Sequence, residues 1–139
     1  MSGNLTYSMI KPEAVQKGFT GPILSHIQKA GFRITALKML KISEEVAGKF
    51  YAIHKERPFF NDLIKYISSG PIVPMILEKE NAVEEFRKLI GATNPKNATP
   101  GTIRNLYAES IEQNAIHGSD SDENAVIEAD FFFPRSDRF

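Results

Sequence analysis

An α+β fold is predicted by three features of the chain. Alternating or continuous apolar runs mark four strand segments, at 4–10, 32–42, 72–77 and 115–117. Helical apolar spacing with capping residues fills most of the stretches between them. Proline and glycine punctuate the boundaries. The order β-α-β-(αα)-β-α-β-α is that of a split βαβ arrangement, a ferredoxin-like βαββαβ sandwich whose four-stranded antiparallel sheet is covered by helices. With 139 residues and neither repeat nor linker, residues 1–139 read as one domain.

In the first strand, Asn4 to Ile10, Leu5, Tyr7 and Met9 alternate with Thr6 and Ser8, and Lys11-Pro12 ends it because proline lacks a ladder N–H. A helix opens at Thr20-Gly21-Pro22, presents Leu24 and Ile27, and stops at Gly31. Phe32 to Ile42 forms a second strand whose apolar phase shifts between Ala36 and Leu37, the mark of a bulge or of burial on both faces. Ser43 caps a helix with Glu44 and Glu45 in its first turn and Val46, Phe50 and Ile53 facing inward, until Arg57-Pro58 breaks it. Leu63, Ile64 and Ile67 mark a further short helix. The third strand, Ile72 to Leu77, contains Pro74, which places that position at an edge or a bulge. Asn81 and Glu84 pair as a capping box for a helix carrying Val83, Phe86 and Ile90 to Gly91. Residues 92–113 are irregular, and a loop of that length in a compact domain is usually functional. Ser121 caps a last helix carrying Val126 and Ile127.

Seventeen basic residues balance seventeen acidic ones, so no global field favours nucleic acid or an anionic membrane, and any anion site must be local. The absence of cysteine excludes disulfides, zinc–thiolate sites and thiol catalysis. Residues 1–10 show no basic, apolar leader, and no apolar run approaches the roughly 20 residues of a membrane span. A reducing, cytoplasmic setting is expected.

The reactive chemistry concentrates in Asn114-Ala115-Ile116-His117-Gly118-Ser119-Asp120-Ser121. A neutral imidazole is a good nucleophile near pH 7, and a phosphoryl group carried on it is readily passed on. Gly118 would leave the backbone open to a bulky phosphoryl group, while Ser119 and Glu128 could orient the ring. A satisfied core histidine beside a helix cap, Ser-Asp-Ser, accounts for the same residues. Of the other two histidines, His26 and His54 read as ordinary surface residues. There is no G-x-x-x-x-G-K-[ST] loop and no G-x-G-x-x-G turn, so phosphate would have to be held by side chains. Lys11, Arg57, Arg87 and Arg104 stand at element ends, where they could converge on it or simply be solvated.

The segment Asn114 to Ser121 resembles the active-site signature of nucleoside diphosphate kinases. So, in order along the chain, do Met9-Ile10-Lys11-Pro12-Glu13-Ala14-Val15, Glu56-Arg57-Pro58-Phe59-Phe60, Ser69-Gly70-Pro71, Gly91-Ala92-Thr93-Asn94-Pro95 and Pro100-Gly101-Thr102-Ile103-Arg104. The resemblance implies that His117 is transiently phosphorylated on Nδ1, supported by Ser119 and Glu128. Lys11 would touch the transferring phosphate and the sugar 3′-hydroxyl, which Asn114 also reaches, and Tyr51 would sit beside the transferred group. Arg87, Thr93 and Arg104 would hold the phosphates; Phe59 would stack on the base, with Leu63 and Ile111 lining its slot. It further implies Mg²⁺ held mainly by nucleotide phosphates and water, nucleoside di- and triphosphates as substrates, and a homo-oligomer, a tetramer or hexamer built from dimers, with loop 92–113 and Pro95 at an interface. Asp122 and the run Asn105-Leu106-Tyr107-Ala108 depart from the family pattern, and the chain ends at Phe139 without the longer tail of many relatives. A stacked rather than edge-bonded base predicts broad base specificity. The alternative on the same fold is a non-catalytic nucleotide-binding regulatory module, marked by loss of Lys11, Asn114 or His117; all three are present. A scaffold whose long loop mainly binds partners is the third reading.

Overall fold

A computed structural model describes residues 3–139. Its centre is a four-stranded sheet in the order β2-β3-β1-β4, formed by β1 (Leu5–Ile10), β2 (Arg33–Leu37), β3 (Val73–Glu78) and β4 (Ile116–Gly118). Every neighbouring pair is antiparallel, as the ferredoxin-like order requires. Helices cover both faces, so β1 is buried from Thr6 to Ile10 and its polar alternates do not meet solvent. Ser8 is satisfied within the sheet, its Oγ donating to the His117 carbonyl at 2.8 Å.

On one face Tyr7, Met9, Ile72 and Ile76 pack under α3 (Glu44–Phe50), α4 (Phe60–Ile67) and α7 (Asp122–Phe132), through Ala47, Ile67, Ala129 and Phe132. On the other, Ile10, Val73, Met75 and Leu77 pack under α1 (Pro12–Gln16), α2 (Thr20–Lys29), α5 (Ala82–Ile90) and α6 (Ile103–Tyr107), through Ala14, Ile27, Phe86 and Ile103. The expected caps at Ser43 and Ser121 form, each hydroxyl accepting from the backbone N–H three residues on at 3.1 Å.

Several local expectations are corrected. Pro12 does not merely end β1; it starts α1, where its missing N–H is one of the unpaired groups of a first turn. The irregular stretch 92–113 holds α6, capped by Thr102. β2 stops at Leu37, with a bulge between Ile34 and Ala36 and only a bridge from Leu40 to Ile72 beyond it. Pro74 lies in a central strand, neither at an edge nor in a bulge of its own. The strand tolerates it because only one ladder bond is lost: the Pro74 carbonyl still accepts from the Lys38 N–H at 3.2 Å, and Leu40 and Ile72 exchange both backbone bonds at 3.1 and 2.8 Å. Helix α3 ends at Phe50, leaving Ile53 in a 3₁₀ turn, 73% exposed. Asn81 has a left-handed φ of +56° and its amide meets Glu84 side chain to side chain at 2.9 Å, so no backbone capping box forms. Helix α7 buries Ala125, Ala129 and Phe132 rather than Val126 and Ile127. Asp122, in its first turn, accepts from the Gly3 N–H at 3.0 Å and ties the start of the described chain to α7.

Candidate active site

His117 sits on the short edge strand β4, paired with Met9, and its ring faces the α3–α4–α7 side of the sheet. There it meets Tyr7, Phe50 and Tyr51, with ring centroids at 5.7, 5.8 and 6.4 Å. Glu128, one helical turn before Phe132 on α7, holds the ring: His117 Nε2 lies 2.9 Å from Glu128 Oε1. Ser119 Oγ donates to the same carboxylate oxygen at 2.7 Å and exchanges longer bonds with the Tyr7 backbone. A carboxylate can only accept, so Nε2 carries a proton, and in the neutral imidazole the lone pair then lies on Nδ1. The core-histidine reading accounts for the burial but leaves Nδ1 without a protein partner among the described residues. Removing the carboxylate in Glu128→Ala frees ring and tautomer together, and steady-state kinetics should show kcat reduced by about tenfold or more.

Lys11 follows β1 directly and is 7% exposed, its Nζ donating to Asn114 Oδ1 at 2.7 Å. Burial, and secondly the Arg104 guanidinium, push its pKa down to about 7, against a smaller opposing pull from Glu13. Arg104 on α6 is 9% exposed and donates to the carbonyls of Gly91 and Ile116 at 3.1 and 2.9 Å. Burial, then Arg87, lowers its pKa to about 10, which leaves it charged at neutral pH. Arg87, Thr93 and Arg104 line one cavity of about 560 Å³ together with Gly91 and Thr102. Of the four basic residues considered from sequence, Arg87 and Arg104 share this cavity and Lys11 lies within charge interaction of Arg104, while Arg57 is exposed and does not line it.

Tyr51 is buried, and its hydroxyl pKa is raised by that burial and by Glu128, so it remains an O–H donor. That hydroxyl and Arg104 Nε have no hydrogen-bond partner among the described residues. Phe59 is 50% exposed at the start of α4, Leu63 packs partly against the core beneath it, and Ile111 is 50% exposed in the loop before β4. His54 is half-buried between Tyr51 and Phe59, with centroid distances of 6.2 and 5.7 Å, rather than free on the surface.

Gly118 serves a different purpose from the one expected. A Cβ there would lie 2.8 Å from Ile90 Cδ1 and 3.4 Å from the Phe86 ring, on the face away from His117. Its missing side chain lets α5 pack closely on β4. Gly118→Ala should cost about 1–3 kcal/mol, read as a lower denaturation midpoint. Residues missed in the sequence reading are Phe50 and Tyr7, whose apolar character marked them only as core. The helical spacing of Phe50 from Val46 pointed inward but not toward β4.

The structure holds a ring-oriented histidine, an open cavity lined by Arg87 and the buried Arg104, and an exposed aromatic ledge at Phe59. A family model for nucleoside diphosphate kinase matches residues 4–138. A nucleoside diphosphate kinase of Chlorobaculum tepidum is 58% identical over 128 residues, 92% of this chain and 91% of the relative. That of Campylobacter hominis is 59% identical over 92% of this chain and 93% of its own length. Among solved structures, the Aquifex aeolicus nucleoside diphosphate kinase superposes with a TM-score of 0.96 at 41% identity, covering 98% of this chain and 99% of its own. The Halobacterium salinarum enzyme, solved in complex with CDP, gives 0.93 at 36% identity, over 99% and 92%. With its signature histidine held by Glu128 and its fold matched end to end, the chain belongs to the nucleoside diphosphate kinase family.

Proposed function

We propose that His117 carries the phosphoryl group in transfer of the γ-phosphate from a nucleoside triphosphate, mainly ATP, to a nucleoside diphosphate. The observation that supports it most strongly is the Glu128–His117 bond at Nε2, which leaves Nδ1 as the free nucleophile. Nδ1 attacks the γ-phosphorus, the bond to the bridging oxygen breaks, and nucleoside diphosphate leaves with that electron pair. A second diphosphate then takes the phosphoryl group by the reverse displacement, and Nδ1 recovers its lone pair.

Little covalent help is needed in such a step beyond position and charge neutralisation. Lys11 and Asn114 contact the transferring phosphate and the 3′-hydroxyl, Arg87, Thr93 and Arg104 grip the phosphate chain, and the Tyr51 hydroxyl donates to the group in flight. Phe59 stacks on the base, Leu63 supports it from below, and Ile111 closes the slot from the loop; His54 buttresses Phe59. Of the carboxylates beside the nucleophile, Glu13 and Glu128 already hold Ala115 and His117. The residues therefore suit Mg²⁺ that arrives on the nucleotide phosphates as part of the substrate. Bound there, the ion neutralises phosphate charge; Lys11 and the arginines do the same from the protein side.

Enzyme incubated with γ-³²P-labelled ATP should hold an acid-labile, base-stable label that a chase of unlabelled diphosphate removes, and initial rates should give the parallel lines of ping-pong kinetics. Intersecting lines with no trapped label would refute the reading. The regulatory-module alternative would bind nucleotide tightly without exchanging phosphate. We further infer a cytoplasmic homo-oligomer of dimers with loop 92–113 and Pro95 at an interface; a concentration-independent monomer by light scattering would contradict it. No helix of the described residues is long and apolar enough to cross a membrane.

A further inference from the structure

The geometry points to Glu13 as a positioning residue that pins the turn carrying Asn114 and His117, with Tyr66 holding Glu13 in place. Ala115, between them in sequence, is fully buried and has φ +71°, one of only two positive values at non-glycine positions among the described residues. Ile116 N–H donates back to the Asn114 carbonyl at 2.8 Å, a three-residue γ-turn of the rare positive-φ kind. Such a conformation persists only when its surroundings over-determine it.

Here both backbone groups of Ala115 are tied to the start of α1. Its carbonyl accepts from the Lys11 N–H at 2.8 Å, and its N–H donates to Glu13 Oε1 at 3.1 Å, across 102 residues of sequence. The Tyr66 hydroxyl donates to the same carboxylate oxygen, and Glu13 Oε2 is buried without a partner. If the Glu13 bond were lost, a buried N–H would be orphaned and Ala115 would relax toward negative φ. That rotation moves the neighbouring peptides, and with them the Asn114 amide off Lys11 and the His117 ring off its line of attack. Tyr66 belongs to α4, the helix that Phe59 opens onto, so the same bonds connect the ledge for the base to the nucleophile. The ordinary reading, an acidic residue in the first turn of a helix, requires only charge at Glu13.

This inference rests on the phosphohistidine reading, and rapid-quench measurement of label transfer from γ-³²P-labelled ATP tests the two separately. No label on wild-type His117 would remove the reading itself. With wild-type label present, Glu13→Ala is expected to slow phosphoenzyme formation by about ten- to a hundredfold through misplacement alone. KM for nucleotide should change by less than about threefold, because Arg87, Thr93 and Arg104 still grip the phosphate chain and Phe59 still meets the base. Glu13→Gln keeps an oxygen that accepts two bonds and should restore most of the rate. Ala115→Gly in the Glu13→Ala background should also recover it, since glycine takes positive φ without a side-chain clash. A wild-type rate in Glu13→Ala, a Gln variant as slow as the Ala variant, or no recovery on adding Ala115→Gly each overturns the proposal. Should Glu13→Ala fail to fold, Tyr66→Phe carries the test. A fall of about threefold or more, reversed by Ala115→Gly, is expected, and an unchanged rate overturns it.

Discussion

His117→Ala is expected to lose phosphoenzyme formation altogether and to lower turnover by at least about 10⁴-fold, the scale seen when a covalent nucleophile is removed. The fold should survive. His117 is partly exposed, and its backbone stays paired with Met9. Circular dichroism and the denaturation midpoint should therefore stay near wild type while kcat collapses. Normal turnover in this variant would mean that phosphate passes directly between nucleotides.

Lys11 carries the second large effect. Lys11→Met keeps much of the side-chain volume and removes the charge beside Asn114, and kcat should fall by about 10²–10³-fold, as for loss of one preorganised electrostatic group. The buried ammonium also ties nucleotide binding to protons. Its pKa stands near 7 in the folded protein against an ordinary value of 10.5, with burial the main cause and Arg104 the next. Between those values the unfolded chain holds more protons than the folded one. The cost of burying the charge is thus fully present below pH 7 and is relieved as pH rises from about 7 toward 10.5. A bound polyphosphate reverses the balance by stabilising the ammonium. At pH 8 calorimetry in two buffers of different ionisation enthalpy should show close to one more proton taken up by wild type than by Lys11→Met, a difference that shrinks by pH 6. Equal uptake by both proteins would remove Lys11 from the phosphate site.

Much of this was legible in the sequence because its signals are local. The first strand around Leu5, Tyr7 and Met9, the caps at Ser43 and Ser121, and the stop at Gly31 each depend on a few neighbouring residues, and all reappear in the structure, although the polar alternates of that strand are buried too. The short helices α1 and α6 were not legible, since five residues span too little of the helical period for an apolar face to register. Pro74 misled because the cost of its missing N–H depends on the bonds around it, from Lys38 and between Leu40 and Ile72, a fact of pairing and not of the strand itself.

In the site, the motif exposed the residues that would touch phosphate and the pair Ser119 and Glu128 that orients His117, while further supporting contacts stayed hidden. Phe50 against the His117 ring and Glu13 against Ala115 are contacts between distant segments that no local pattern records. Gly118 shows the converse. Its place beside the nucleophile suggested chemistry, yet Ile90 and Phe86 on α5 decide it.

The central claim is that Glu128 holds Nε2 so that Nδ1 of His117 takes the phosphate. Phosphoenzyme prepared with ATP, with histidine labelled in ¹⁵N, allows the phosphorus–nitrogen bond to be placed by nuclear magnetic resonance. A ³¹P–¹⁵N coupling to Nδ1 of His117 is the predicted result; phosphate on Nε2, on His26 or His54, or on no histidine would contradict it.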